Sequence, residues 1–377
     1  MKPNSLIIVI CCGMLVSCYK PYSGDVESGE KILVVDGLIT NEVASYHISL
    51  SYALPFNSER TGKPVNSADV YVSDDLGSHY PFIELSSGCY VSDSLQFTGY
   101  PGRTYTLYIE TADGEIFMSD PQTLNHEYYP DTIYAEVDYQ TTLSRFNQIL
   151  VTIRGANIMT DIRIHSDTLP RFRFTSNLVK QYFYALNVPP PYIDPPLYSF
   201  YCWQTENDIS DINLSRKDYS SHTSLINKHE VYFVDDQLYF DALTYSLGPL
   251  KPDLSHEALV STNRQSYLIK HRVLYLNLFT LNNDTYLYYK SMDDQLRSEG
   301  KLFDPIAVQL DGNINCTTNP DKKSMGFFEA SSVTRTAYII GFRKVSNNEY
   351  SITKIPYIQP SKSNGCMIDK IPPFWIN

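Results

Sequence analysis

The chain has 377 residues, enough for a large core, and its length favours two domains over one. Only 19% of the residues are charged, whereas 31 are tyrosine and 17 phenylalanine, a composition suited to half-buried pleated surfaces and poorly suited to long solvated helices. The formal charge is −12 and no Lys/Arg cluster stands out, which argues against nucleic acid as a partner.

The first segment is a targeting signal. Lys2 supplies a positive start, and Leu6 to Val16 form an apolar run that is far shorter than the roughly 20 residues of a membrane-spanning helix. The run closes on Leu15-Val16-Ser17-Cys18. Two apolar residues, a small residue and Cys form the pattern read by a bacterial lipoprotein signal peptidase. Residues 1–17 are therefore expected to be removed, and Cys18 to carry lipid and hold the mature chain on a bilayer. A bacterial lipoprotein Cys carries three acyl chains, and each buried methylene contributes about 0.8 kcal/mol, so such an anchor is stable. Residues 18–30 are polar with Pro and Gly and read as a tether.

Residues 31–124 alternate with period two. Tyr46, Ile48, Leu50 and Tyr52 share one face; Val70 and Val72 flank Tyr71; Tyr105, Leu107 and Ile109 alternate with Thr104, Thr106 and Tyr108. Asp74-Asp75-Leu76-Gly77 reads as a turn, and Asp113-Gly114 as a hairpin signal with Glu115 to Ser119 returning. Short strands at this spacing predict a β-sandwich of immunoglobulin-like or transthyretin-like kind. Pro121 to Pro130 marks a boundary.

Residues 131–377 predict a larger β-rich domain with one or two helices, so the fold class is mostly β. Strands are expected at 148–154, 171–174, 178–185, 199–205, 230–234 and 267–279. One helix is expected near 284–298, capped by Asn283 or Asp284, with Thr285, Tyr289, Met292 and Leu296 on one face and Gly300 at its end. The prolines of residues 189–196 exclude a central strand and predict an extended exposed loop presenting Tyr192. Around it lie Tyr198 and Trp203, aromatic faces with polar tips that suit a glycan or a peptide; the competing reading is that they fill the core.

Cys89, Cys202, Cys316 and Cys366 remain after processing. Four cysteines in an oxidising compartment are candidates for two disulfides with three connectivities; free buried thiols are the alternative.

Tests for catalytic chemistry come out negative. His126-Glu127, His229-Glu230 and His256-Glu257 lack the second His four residues on that a zinc peptidase helix needs, and read as solvated polar residues. Asp311-Gly312-Asn313-Ile314-Asn315 begins like a calcium loop, but Cys316 and Lys322 stand where Gly and Glu are required, so a turn is expected. The pairs Asp74-Asp75, Asp235-Asp236 and Asp293-Asp294 read as turn or surface acids, because neighbours on a strand point to opposite faces. No nucleophile elbow, phosphate loop, dinucleotide fingerprint or Cys-x-x-Cys is present. No metal, cofactor or enzymatic activity is expected.

Four ordered segments carry a family likeness. They are the lipobox with Ile32 to Thr40; Gly99-Tyr100-Pro101-Gly102-Arg103-Thr104-Tyr105-Thr106-Leu107; Cys202-Trp203-Gln204-Thr205-Glu206; and Leu302 to Pro305 with Gly312-Asn313-Ile314, Asn319-Pro320 and Gly326 to Ser331. The chain resembles the Bacteroidetes lipoprotein family filed as domain of unknown function 4249. The tail departs from the family pattern, with Cys366 alone before Pro372-Pro373-Phe374-Trp375. The resemblance implies an outer-membrane lipoprotein encoded beside TonB-dependent, Sus-like transporters, and no established activity. Asp93-Ser94-Leu95, Asp131-Thr132-Ile133 and Asp167-Thr168-Leu169 resemble the O-glycosylation acceptor of Bacteroidetes, with Ser94, Thr132 and Thr168 as the hydroxyls.

The reading is a lipid-anchored envelope protein that binds a ligand or docks on a nutrient transporter without catalysing a reaction, on a membrane face left open. An extracellular glycan- or peptide-acting hydrolase and an adhesin-like structural lipoprotein are the alternatives.

Overall fold

The computed structural model describes residues 31–53, 62–95, 97–143, 149–165, 170–186, 198–207, 212–215, 225–235, 265–297, 310, 312–343 and 349–355. In chain order the strands are β1 (Leu33–Ile39), β2 (His47–Tyr52), β3 (Lys63–Pro64), β4 (Asp69–Asp74), β5 (His79–Ser86), β6 (Cys89–Ser92), β7 (Thr104–Glu110), β8 (Ile116–Ser119) and β9 (Gln122–Thr123). Then come β10 (Thr132–Leu143), β11 (Leu150–Arg163), β12 (Arg171–Leu186), β13 (Tyr198–Asn207), β14 (Asn213–Leu214), β15 (Leu225–Asp235), β16 (Gln265–Leu281) and helix α1 (Asn283–Leu296). The chain finishes with β17 (Ile314–Cys316), β18 (Ser324–Ala330), β19 (Ser332–Arg343) and β20 (Glu349–Ile355). The chain is mostly β, and α1 is the one α-helix among the described residues.

The predicted alternation is present in the first sheet. Ile48 and Leu50, Val70 and Val72, and Tyr105, Leu107 and Ile109 all enter one core, while their strand neighbours stay at least partly exposed. Gly114 takes the expected left-handed turn conformation at φ 81° between β7 and β8. The pairing, however, gives no support to two stacked sheets over residues 31–124. The strands follow one continuous path, β17-β8-β7-β4-β5-β6-β2-β1-β18, and the path nearly closes on itself as a barrel.

Closure depends on residues roughly 200 to 290 positions later in the chain than the strands they complete. β18 lies parallel to β1 from Leu33↔Ser324 to Ile39↔Ala330, and β17 lies against β8. Ile314, Cys316, Phe328 and Ala330 fill the barrel core beside Leu33, Val35 and Phe117. The last gap is bridged by a side chain. Asn313 is buried, its Nδ2 donates to the Phe328 carbonyl at 2.8 Å, and its Oδ1 accepts from the Phe328 N–H at 2.9 Å. The amide thus does what a neighbouring strand's backbone would do. Gly312, next to it, passes so close to Gly326 that a Cβ would fall on that carbonyl. Residues 312–315, expected as part of a turn, form the barrel seam instead.

The second half is a two-layer sandwich. β10-β11-β15 form a three-stranded sheet, which packs on the sheet β13-β12-β16-β19-β20, where β14 lies beside β12. Ile158, Ile162, Val231 and Val234 from the first layer meet Phe172, Phe174, Leu278 and Ile340 from the second. The two strands expected at 171–174 and 178–185 are one. Their polar link stays in the sheet because Ser176 Oγ donates to the Val231 carbonyl (2.9 Å) and Thr175 Oγ1 accepts from Asn277 (2.9 Å). The helix cap is Asn282, one residue earlier than expected, with Oδ1 accepting from Thr285 N at 2.8 Å. Thr285 and Tyr286 are its buried residues, and Leu296, expected on the inner face, is exposed.

The halves are joined by polar contacts. Buried Gln122 accepts at Oε1 from Asn282 Nδ2 (2.6 Å) and Thr285 Oγ1 (3.2 Å), tying β9 to the helix start. Asn125 donates to the Leu281 carbonyl at 2.9 Å. Glu329 of β18 receives two bonds from Arg173 (3.0 and 3.1 Å) and one from Tyr289 Oη (2.7 Å). The Arg173 guanidinium lies over the rings of Phe279 and Tyr289.

Candidate functional site

A cleft of about 430 Å³ opens where β14, β15 and the C-terminal half of α1 meet. Its wall carries Asn213 and Leu214, then His229, Glu230, Val231 and Tyr232, and on the helix side Asp293 and Arg297. That volume is within the range of small-ligand sites, roughly 300–1,000 Å³.

The geometry of β15 builds the site. Its pairing with β11 shifts twice, between Ile158 and Met159 and between Thr160 and Ile162. Each shift inserts one extra residue on β15, so its fully buried positions step through Ile226, His229, Val231 and Val234. The bulge opposite Thr160 to Ile162 holds Lys228 at φ 53°, an uncommon conformation for a side-chain-bearing residue. Asp161 Oδ1 caps it by accepting from Lys228 N (2.9 Å), and Lys228 Nζ reaches Glu136 (2.7 Å). Between the bulges, His229 turns inward and its ring stacks on Phe174 with centroids 4.1 Å apart.

Its tautomer follows from the network. Asn213 Nδ2 donates to the Glu230 carbonyl (2.9 Å), which turns Asn213 Oδ1 towards the imidazole, so His229 Nε2 donates to it at 2.8 Å. At the mouth, Arg297 and Asp293 form an i,i+4 ion pair at 2.8 Å. Polar groups of several kinds therefore surround an aliphatic wall of Ile212, Leu214 and Val231. Such a lining offers hydrogen-bonding groups beside apolar surface. Among the described residues, no three His, Cys, Asp or Glu side chains come together to hold a metal ion.

A second cluster lies at the junction of the halves and joins them. Burial first, and the Glu329 charge second, push the Tyr289 phenol well above its ordinary value. Asp36 on β1 is held above the usual carboxylate range by desolvation and then by Glu329. Tyr288 stacks on Phe327 at 4.5 Å, and its phenol is raised by burial and by Asp36. Arg173 is the cation paired with Glu329.

The residues singled out in the sequence fall in several places. Leu15, Val16, Ser17, Cys18, Thr168, Tyr192 and Cys366 lie outside the described residues. Tyr198, Cys202 and Trp203 are on β13, where Cys202 pairs with Tyr182 and Trp203 with Gln181 of β12. Ser94 is half-buried in a turn whose Asp93 Oδ1 accepts from Leu95 N (2.9 Å), and exposed Thr132 opens β10, donating to Asp161 (2.9 Å). Cys89 and Cys316 are free thiols in the structure, so neither of these two candidates stands in a bridge. Cys89 Sγ is 3.7 Å from His47 Nδ1 and Cys316 Sγ is 3.4 Å from Thr318 Oγ1.

The cleft itself was not found from sequence. His229, read as solvated, is buried; the two bulges that turn it inward arise from pairing with β11, and no local pattern announces them. Asp74, read as a turn or surface acid, does shape its turn, but from a buried position.

Comparison with known proteins adds one match. Residues 19–337 fit the family described as domain of unknown function 4249. The chain belongs to that family. The matched range of this 4249-family member includes both the barrel-closing strands β17 and β18 and the cleft. No curated protein and no solved structure matches the chain.

Proposed function

We propose that this protein is a membrane-anchored, non-enzymatic envelope lipoprotein, acylated at Cys18, whose second half binds a ligand or partner. The observation that carries the reading is Leu15-Val16-Ser17-Cys18 at the end of an apolar run too short to span a bilayer. No helix among the described residues is long and apolar enough to cross a membrane. The family likeness supports an outer-membrane location and a TonB-dependent, Sus-like nutrient transporter as the partner it serves. The mixed polar and aliphatic lining of the cleft suits a glycan or peptide fragment on its way to such a transporter.

Affinity purification of the native protein from solubilised outer membrane tests the reading. Recovery of a TonB-dependent transporter with it, in preparations where an unrelated lipoprotein recovers none, is the expected result. Repeated recovery without any transporter subunit refutes the partnership.

One observation favours a second reading, an extracellular hydrolase: His229, Glu230 and Asp293 border the same cleft. Turnover of glycans or peptides by purified protein, abolished by His229→Ala, decides for it. Binding without turnover decides for the first.

A further inference from the structure

The direction of a few strands says which end of the molecule faces the membrane, given the anchor proposed at Cys18. β1 begins at Leu33, just after Lys31, and runs to Ile39. β18 runs parallel beside it and ends at Ala330 opposite Ile39. Only Ser331 then intervenes before β19 enters the sandwich, and Ser331 N donates to the Ile39 carbonyl at 3.1 Å. The sandwich is therefore attached to the end of the barrel where β1 finishes.

Other links between the halves lie at that same end. Asn41, two residues beyond β1, accepts at Oδ1 from Val333 N (2.7 Å), and Glu42 pairs with Arg335 at 2.8 Å. The opposite end of the barrel gathers the start of the fold. There Lys31 pairs with Asp113 (3.3 Å) and lies over the Tyr52 ring, and Lys322 pairs with Glu115 (2.5 Å).

Within the sandwich the strands lead onward. β19 runs away from the barrel, β16 returns against it from Arg272↔Ile340 to Thr280↔Ser332, and β12 runs out again. β15 follows the direction of β12, since His229 meets Phe174 and Val231 meets Ser176. Antiparallel pairing through β11 then puts the Thr132 end of β10 near the barrel and its Leu143 end at the far tip.

We infer that the protein stands barrel-first on the membrane, with the end bearing Lys31, Asp113 and Lys322 towards the lipid and the sandwich held out into water. The thirteen steps from Cys18 to Lys31 span at most about 45 Å, at ~3.3–3.6 Å each. The 17 residues of β16 alone extend about 55 Å, at 3.2–3.4 Å each. The tip of the sandwich is thus the part of the molecule farthest from the bilayer, and a partner or nutrient arriving from solution meets the sandwich first. The inference rests on the anchor reading.

Resonance energy transfer to the membrane surface tests it. The full chain, processed in its native host, carries a clickable p-azidophenylalanine in place of Ala112, in the exposed β7–β8 turn, or of Thr141, exposed on β10, in two separate preparations. Each is dye-labelled and reconstituted into vesicles containing acceptor-labelled headgroups. Flotation with the vesicles, and transfer several-fold greater from position 112 than from 141, is the expected result. Flotation with equal or greater transfer from 141 overturns the orientation and leaves the anchor standing. Failure to float overturns the anchor and the orientation with it.

Discussion

Asn313→Ala opens the barrel at its seam. The wild-type amide is 3% exposed and satisfies both the N–H and the C=O of Phe328, a residue that is itself fully buried. On the parallel strand β18, the groups of Phe328 that meet Asn313 point away from β1, so β1 cannot take them over. Truncation leaves two buried backbone groups without partners, at ~1–3 kcal/mol each, so a loss of about 2–6 kcal/mol is expected. That is a large share of the ~5–15 kcal/mol that holds a domain together. Asn315→Ala, two residues on, is the control. Its amide donates to Asp120 at an exposed position, and surface changes of this kind cost within about 0.5 kcal/mol.

Asn313→Asp sharpens the test. The carboxylate keeps the acceptor for the Phe328 N–H but faces the Phe328 carbonyl, whereas the protonated acid can donate to it. The acid form is favoured in the fold, so the folded pKa of this Asp rises. Relative to the wild type, the variant is therefore least destabilised at low pH and loses ground as pH rises through that value. Urea unfolding followed by tyrosine fluorescence and by far-ultraviolet circular dichroism measures all three variants. An Asn313→Ala loss no larger than that of Asn315→Ala refutes the idea that a side chain closes this sheet.

Arg173→Met leaves the Glu329 carboxylate buried without its cation and is expected to cost about 3–5 kcal/mol, with Arg173→Met/Glu329→Gln costing less than the sum of the singles; a double-mutant cycle in urea measures the coupling. Gly326→Ala would set a Cβ against the Val35 carbonyl at φ 90°, so no folded protein is expected, whereas Gly114→Ala, at φ 81° with open space around it, costs only about 1 kcal/mol. Solubility and thermal unfolding of the pair distinguish collision from turn strain. Burial opposes ionisation of Asp74, but hydrogen bonds from Ser78, Tyr80 and Leu76 and the charge of Arg103 outweigh it and lower its pKa. Its stabilisation is complete above the unfolded value of about 3.9 and is lost as pH falls through the lower folded value. Asp74→Asn is accordingly expected to flatten part of the acid limb of a stability–pH profile, and an unchanged limb contradicts the assignment.

The sequence announces strands whose faces differ. Tyr105, Leu107 and Ile109 alternate with half-exposed residues because one side of β7 meets the core and the other meets water. β18 gives no such signal. Phe328 and Ala330 face the barrel core while Phe327 and Glu329 face the junction with α1 and β12, so four residues in a row are buried and the period vanishes. The barrel was hidden for the same reason: its closing strands are short or buried on both sides, and they come from the far end of the chain. Helix α1 was legible as an element, but Asn282 replaced Asn283 or Asp284 as its cap because only that side chain reaches both Thr285 N and Gln122. The cleft was the least legible feature. His229 reaches it through two bulges, Asn213 through a two-residue strand and Arg297 through the last turn of the helix, and no spacing in the chain connects the three.

The proposed attachment to the membrane requires a lipid at Cys18. Mass spectrometry of the N-terminal peptide of native protein, alongside fractionation of a Cys18→Ala variant, measures it. A mature chain that begins at an acylated Cys18, and a variant lost from the membrane fraction, are the predicted results. An intact Met1 start, or a Cys18→Ala chain that stays on the membrane as fully as the wild type, contradicts the account.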